Sequence, residues 1–476
     1  MLSRRHFLAS SAAILAKRRR PNVLLIIADE WRAQATSWNG DLNVATPTLD
    51  RFARESISFD NAVSNLPVCC PARASMMTGQ YPLTNGVFIN DVELKPQGST
   101  LGETFRSAGY RTGYIGKWHL YGSPDGNYSR RLEPVPRDHR FGFDYWKACE
   151  CTHDYDHSLY YEGDDNTPKY WPGYDAFSQT DDAVAFIKNS VKSTDPFLLC
   201  LSLGPPHFPL QTAPAAFRDQ FRTREIRLRP NVPGEKRIQA TEDLRGYYAH
   251  MAALDTCFAR LFGCLEDSGI ADDTILIFIS DHGDMMLSQG LTTKLHPWDE
   301  SVRVPLLIRY PRLLGRKGWR LATAFNMPDL MPTVLAMAGL KIPDSVEGLD
   351  RLHHSSNASL ILLPVPITVA RRYGFAEYRG LRTNSHTYIR SIHGPWLLYD
   401  NLHDPYQMHN QVTNNGLRTQ LDRQLDAELR VRGDDFLPAR TYLSNAGLTH
   451  YKEANVPVGH SMSPWGDWES TEKGTI

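Results

Sequence analysis

Three uninterrupted apolar runs constrain this 476-residue chain more than any other feature: Asn22 to Ala28 (NVLLIIA), Pro196 to Leu203 (PFLLCLSL) and Thr274 to Ser280 (TILIFIS). Each has the length of a strand and is apolar at consecutive positions, the pattern of a strand covered on both faces. Between the second and third runs, Glu242 to Asp267 sets Leu244, Tyr248, Met251, Leu254, Phe258, Leu261 and Leu265 at three- and four-residue intervals, which predicts a long amphipathic helix. Helices are also predicted over Thr48–Ser56, Leu101–Gly109 and Met327–Ala338, and a strand over Val304–Arg309. Buried strands alternating with helices imply an α/β fold with a large, mainly parallel sheet flanked by helices.

The pattern changes over residues 341–370, where Pro343, Pro364 and Pro366 interrupt any periodicity. Shorter strand-like pieces follow (Ile367–Arg371, Tyr388–Ile392, Trp396–Tyr399), then a polar helix, Leu417–Arg430. This predicts a small C-terminal α+β subdomain with an antiparallel sheet. The expected division is an export signal over 1–20, a catalytic domain over 21–365 and the subdomain over 366–476.

Composition excludes several classes of protein. Lys+Arg 52 against Asp+Glu 53 leaves a net charge of −1, which argues against a nucleic-acid-coating protein. No apolar run approaches the roughly 18–20 residues that would span a bilayer. Seven cysteines, at 69, 70, 149, 151, 200, 257 and 264, are too few and too irregular for a disulfide scaffold. At the N-terminus, Ser3-Arg4-Arg5-His6-Phe7-Leu8 and the mildly apolar Leu8–Ala16 resemble a twin-arginine export signal, which implies a periplasmic or extracellular protein. The alternative is a disordered basic terminus. Lys17-Arg18-Arg19-Arg20 stands where a small-residue cleavage site would be expected, so no cleavage point is assigned.

Open α/β sheets bind ligands at the carboxyl ends of their strands, so the polar residues there carry the functional signal. The first strand ends in Asp29-Glu30 and the TILIFIS strand in Asp281-His282-Gly283-Asp284. Carboxylates from two strands with one imidazole make a divalent metal site, mostly hard oxygen donors with one nitrogen. Either pair alone could equally cap a following helix. Between them lies Cys69-Cys70-Pro71-Ala72-Arg73-Ala74-Ser75-Met76-Met77-Thr78-Gly79, with Pro71 placing Cys69 at or just before a helix start. A helix N-terminus favours a negatively charged nucleophile or a bound anion.

This string resembles the signature of the formylglycine-dependent sulfatases, with Cys69, Pro71, Ala72, Arg73, Met77, Thr78 and Gly79 in register. The resemblance continues through Gly116-Lys117-Trp118-His119, Pro206-His207-Phe208, Ser280-Asp281-His282-Gly283, Lys294 and Pro395-Trp396-Leu397-Leu398-Tyr399-Asp400. It implies an alkaline-phosphatase-like fold and a sulfuric ester hydrolase. A maturation enzyme would convert Cys69 to formylglycine, whose hydrated diol attacks sulfur and later expels sulfate as the aldehyde re-forms. A serine would be left holding a stable ester.

By the same resemblance, Asp29, Glu30, Cys69, Asp281 and His282 bind the metal, calcium by default. Arg73 holds the modified residue, Lys117 and Lys294 grip sulfate oxygens, His119 takes a proton from the diol and His207 assists the departing alcohol. Glu30 stands where many sulfatases have Asp, and His282 where many have Asn. The imidazole makes manganese an alternative and leaves room for a phosphodiesterase or phosphonate monoester hydrolase of the same superfamily. A non-catalytic glycan-binding relative would be expected to lose Cys69 or a metal ligand, and this chain keeps them all.

Cys149-x-Cys151-x-His153-x3-His157 is tighter than usual zinc spacing and has no second half. Its surroundings, Phe143 to Tyr174, are rich in Tyr, Trp, His and Asp, which suits either a packed insertion or a wall for sugar rings. A sulfated sugar or polysaccharide is the expected substrate.

Overall fold

The computed structural model describes residues 20–367, 370 and 373–451. The expected export signal up to Arg19 lies outside them, as do Thr368, Val369 and Arg371 of the anticipated Ile367–Arg371 strand. Strands are numbered along the chain: β1 Asn22–Asp29, β2 Ile57–Val63, β3 Arg111–Lys117, β4 Tyr145–Cys149, β5 Leu159–Glu162, β6 Asp165–Tyr170, β7 Phe197–Pro206, β8 Thr274–Ser280, β9 Leu306–Arg309 and β10 Trp319–Asn326. These ten form one sheet in the order β10-β2-β9-β8-β1-β7-β3-β4-β5-β6. Its centre, β8-β1-β7-β3-β4, is parallel throughout, while β9, β5 and β6 run antiparallel to their neighbours.

The continuous apolar run of β1 follows from its position. Val23, Leu25 and Ile27 enter one core with Ala72 and Met76 of the helix Cys69–Thr78, while Leu24 and Ile26 enter the opposite core with Leu254 and Phe258. The long helix carrying Leu254 runs from Arg237 to Asp267, starting a turn before its predicted beginning, and all seven of its spaced apolar residues are buried. The helix Leu101–Ser107 opens with a capping box between Thr100 and Glu103. Strands β2 and β3 lie where no strand was expected. Each is short and polar at three positions, so no apolar run marks it.

The four-stranded antiparallel sheet is β11 Ala358–Leu363, β12 Tyr378–Thr383, β13 His386–Ser391 and β14 Gly394–Asp400. It begins at Ala358, ahead of Pro364 and Pro366, so the prolines follow its first strand rather than precede it. The helix Asn415–Val431 covers it with Leu421, Leu425 and Leu429. Leu360 to Leu363 share the core of the large sheet, which fixes the two sheets against each other.

Candidate active site

Four adjacent parallel strands end at one rim, and each delivers a polar group there. β1 ends in Asp29 with Glu30 next, β3 ends in Lys117, β7 is followed by His207 and β8 by Asp281-His282. Gly116 makes the β3 end possible. Its φ is 101°, and a Cβ there would lie 2.0 Å from the Ser202 carbonyl oxygen on β7. The helix Cys69–Thr78 is buried along its whole length and points its first residue at this rim. Cys70 N–H donates to Asn90 Oδ1 at 3.1 Å, and the helix stops at Gly79, which is left-handed at φ 67°.

Cys69 Sγ lies at the centre. It is 3.3 Å from His282 Nε2, 3.8 Å from Asp29 Oδ1 and 3.6 Å from each of the Lys117 and Lys294 Nζ atoms. Asp29, Cys69, Asp281 and His282 each offer a donor atom within 4.8 Å of the others, and all four are buried. His282 Nδ1 faces its neighbour's carbonyl, Gly283 O at 3.0 Å, which leaves Nε2 directed at the centre. Arg73 ties the carboxylates together, with Nε 3.0 Å from Asp281 Oδ2 and Nη2 3.3 Å from Asp29 Oδ2. Its Nη1 donates to Ser202 Oγ at 2.6 Å and to the Lys117 carbonyl at 3.1 Å.

Glu30 stands apart from that group of four. Its carboxylate faces His207 Nε2 at 3.2 Å and Lys294 Nζ at 3.6 Å, yet both of its buried oxygens lack a hydrogen bond. His207 Nδ1 faces the Phe208 carbonyl at 2.9 Å, and its Nε2 lies 2.7 Å from Lys294 Nζ. His119, two residues after Lys117, lies 3.8 Å from Asp91, which Arg131 pairs at 2.6 Å. Glu30 and His119 both adopt left-handed backbone, φ 65° and 60°. That conformation costs a non-glycine residue roughly 1–3 kcal/mol and is retained chiefly where function demands it.

The charges perturb one another strongly. Burial alone would raise the Cys69 thiol, but Lys117, Lys294 and His282 outweigh it and hold it well below its ordinary value. Burial pushes the neighbouring Cys70 thiol up to about 11. Burial also drives Glu30 well above the carboxylate range, with Lys294 offsetting only part of it. Asp29 stays below that range because Lys117, His207 and Arg73 overcome burial and the neighbouring Cys69. Burial and Lys294 together lower His207 to about 4.

Sequence reasoning missed several supporting residues. Ser202 is a lone polar residue inside the apolar β7 run, a signal legible in hindsight. Asp91 and Arg131, which brace His119, had none. Cys149, Cys151, His153 and His157 do not assemble a metal site: Cys151 Sγ is 4.0 Å from His153 Nε2, and His157 stacks on Tyr170. His153 instead stacks on His207, ring centres 4.2 Å apart and 10° from parallel. Among the described residues, no helix is long and apolar enough to cross a membrane.

Carboxylates, an imidazole and cations gathered around a helix-initiating cysteine at an α/β sheet rim define a hydrolase of anionic esters. Residues 21–340 match the Sulfatase family model, and the chain belongs to that family of sulfuric ester hydrolases. An ulvan-active sulfatase of Formosa agariphila is 38% identical over 94% of this chain and 89% of its own length. An endo-4-O-sulfatase of Bacteroides thetaiotaomicron is 29% identical over 87% of this chain and 92% of its own length. A solved structure from the same Bacteroides species, described with that organism's metabolism of glycosaminoglycans, is similar with a TM-score of 0.80 at 25% identity. It covers 90% of this chain, and 99% of that structure is covered in turn.

Proposed function

We propose that this sulfatase desulfates a sulfated polysaccharide outside the cytoplasm, using a formylglycine made from Cys69 and a bound divalent metal. The observation that carries this reading is Cys69 Sγ seated against Asp29 and His282 with two ammonium groups at 3.6 Å. The donor set fits a divalent ion: Asp29, Asp281, His282 and the modified residue 69 converge, and the orphaned Glu30 carboxylate adjoins them. The ion is calcium by family resemblance, manganese if the imidazole ligand governs the choice; when bound it would lower the pKa of the nucleophilic hydroxyl and neutralise sulfate oxygens.

The chain's own residues have separable tasks. Arg73 holds Asp29 and Asp281 in register beside residue 69. Lys117 and Lys294 hold sulfate oxygens, so that the new O–S bond forms opposite the S–O bond that breaks. His207, with Nδ1 facing the Phe208 carbonyl and Nε2 2.7 Å from the Lys294 ammonium, assists the departing alcohol, the proton passing from Lys294 through Nε2 to the leaving oxygen. His119, braced by Asp91, removes the proton that lets sulfate leave.

The polysaccharide assignment rests on the relatives named as ulvan-active and endo-4-O-sulfatases and on an aromatic pair of the β4–β6 region. His157 stacks on Tyr170 with ring centres 4.0 Å apart, and both are exposed, a surface suited to a sugar face. A twin-arginine route would carry the protein out, a formylglycine-generating enzyme would mature it, and the catalytic domain would span 21–365, with 366–476 as its C-terminal subdomain. The test is a panel of sulfated saccharides and one aryl phosphodiester assayed with matured enzyme. Sulfate release from saccharides with little phosphodiester cleavage is expected; the reverse preference would favour the phosphonate monoester hydrolase reading.

A further inference from the structure

A cavity of about 410 Å³ lies beside the catalytic rim, and none of the site residues above lines it. Its walls include five arginines, Arg32, Arg227, Arg229, Arg303 and Arg320. Glu300 pairs Arg229 at 2.9 Å, Asp299 pairs Arg303 at 3.2 Å, and Asp60 pairs Arg320. Arg32 and Arg227 form no ion pair among the described residues. Arg32 is the more telling of the two. It is 98% buried, its Nη1 reaches only the Met285 carbonyl at 3.2 Å, and its Nε has no partner.

Four buried polar atoms without partners lie on its walls. Arg32 Nε, Arg303 Nε and both amide atoms of Gln34, all on residues that line the cavity, are buried without hydrogen bonds. Buried polar groups are normally satisfied, and leaving a donor unmade costs about 1–3 kcal/mol. Asp41 is the one carboxylate on the wall, and it accepts from the Tyr248 hydroxyl at 2.6 Å and the Asn43 N–H at 2.8 Å; five guanidinium groups against it in a concave site of this size call for an oxyanion of small-molecule dimensions. The cavity also adjoins the catalytic turn. Arg32 lies two residues after Glu30, and its Cβ would be 3.1 Å from a Cβ on Gly283. The Arg229 guanidinium lies over the Tyr406 ring at 4.8 Å, so charge and an aromatic ring share the wall.

We propose that this cavity is a second anion site, which takes a carboxylate or a non-reacting sulfate on a neighbouring sugar of the chain whose ester is being cleaved. The proposal rests on the polysaccharide reading above and deepens it: the enzyme would recognise charge at a distance from the reacting sulfate.

The test uses the full-length protein with Arg227→Glu, whose exposed side chain leaves the core intact, and Arg32→Met as the buried counterpart. Arg430→Glu, on the C-terminal helix, controls for net charge. Calorimetry measures binding of a sulfate-free uronic-acid tetrasaccharide and of a sulfated neutral tetrasaccharide; kinetics use a sulfated uronic-acid tetrasaccharide and 4-nitrophenyl sulfate.

Arg227→Glu should weaken binding of one or both tetrasaccharides about tenfold or more and raise KM with little change in kcat. Turnover of 4-nitrophenyl sulfate and the behaviour of Arg430→Glu should not change. Loss confined to the uronic-acid compound marks a carboxylate site, and loss confined to the sulfated neutral compound marks a sulfate site. Unchanged binding and KM in Arg227→Glu would overturn the proposal, even if Arg32→Met failed to fold. Failure of the polysaccharide reading looks different: no sulfate would be released from any tetrasaccharide, whatever the arginine variants do to binding.

Discussion

Buried charge is handled in opposite ways in the two sheets of this molecule. In the small antiparallel sheet the arginines are paired with acids, Arg382 sharing Asp299 with Arg303. Arg379 pairs Asp434 at 3.0 Å, Arg382 grips Asp299 through two bonds of 2.8 and 2.9 Å, and Arg390 bridges Asp422 and Asp426. At the rim of the large sheet, three carboxylates, a cysteine, three histidines, two lysines and an arginine crowd together, and the Glu30 carboxylate and both ring nitrogens of His119 lack hydrogen bonds. Paired charge holds architecture together. Charge left over after folding is held for something that binds.

The largest effect expected from this difference is at the rim. Cys69→Ser should fold with a melting temperature near that of the parent yet lose turnover by on the order of 10⁴-fold or more, given a maturation enzyme that does not accept serine. Peptide mass spectrometry of the matured parent should place the thiol-to-aldehyde change at Cys69. Modification at Cys70 instead would break the account of the rim.

The two histidines should separate next. His207→Ala should slow cleavage of sugar sulfates about 10²–10⁴-fold and aryl sulfates much less, because activated leaving groups need little protonation. His119→Ala should release close to one equivalent of alcohol and then stall. Rapid-quench kinetics on both substrates resolves them, and equal losses on both without a burst would merge the two roles.

The small sheet should respond in stability rather than turnover. Arg379→Ala leaves buried Asp434 without its cation and should cost about 3–5 kcal/mol in urea unfolding. The kcat of the folded fraction on an aryl sulfate should stay within a factor of two. A matching loss of kcat would erase the contrast between the sheets.

Much of this was legible before any coordinates. β1, β7 and β8 announce themselves because both faces are covered, and their ends carry the rim residues one after another. β2 and β3 are not legible in the same way, since their burial comes from neighbours far along the chain, not from an apolar run. The anticipated metal ligands Asp29, Cys69, Asp281 and His282 do converge. That Glu30 turns toward Lys294 and His207 depends on its left-handed backbone, which no spacing encodes. The stack of His153 on His207 likewise needs two loops brought together by the sheet.

A smaller effect tests whether burial outside the rim behaves as simply as the contrast requires. His250 is buried on the long helix, with Nδ1 facing the Tyr174 hydroxyl at 2.7 Å and Nε2 facing the Pro209 carbonyl at 3.3 Å. Burial lowers it from the model-peptide 6.5 to about 4 despite that carbonyl. The unfolded chain therefore takes up the proton first as pH falls. The His250 contribution to stability should be level above pH 6.5 and drop by up to about 3 kcal/mol between pH 6.5 and 4. Urea unfolding at several pH values should show this loss as the difference between the parent and His250→Gln.

The most direct measurement is the metal content of the purified, matured enzyme, followed through chelation by elemental analysis, melting temperature and sulfate release. Repulsion among Asp29, Glu30 and Asp281, which Arg73, Lys117 and Lys294 offset only in part, should destabilise the empty rim. One divalent ion per chain is predicted, and removing it should lower the melting temperature and abolish turnover, with both restored on reloading. Full activity in protein shown to be metal-free, with an unchanged melting temperature, would contradict the account.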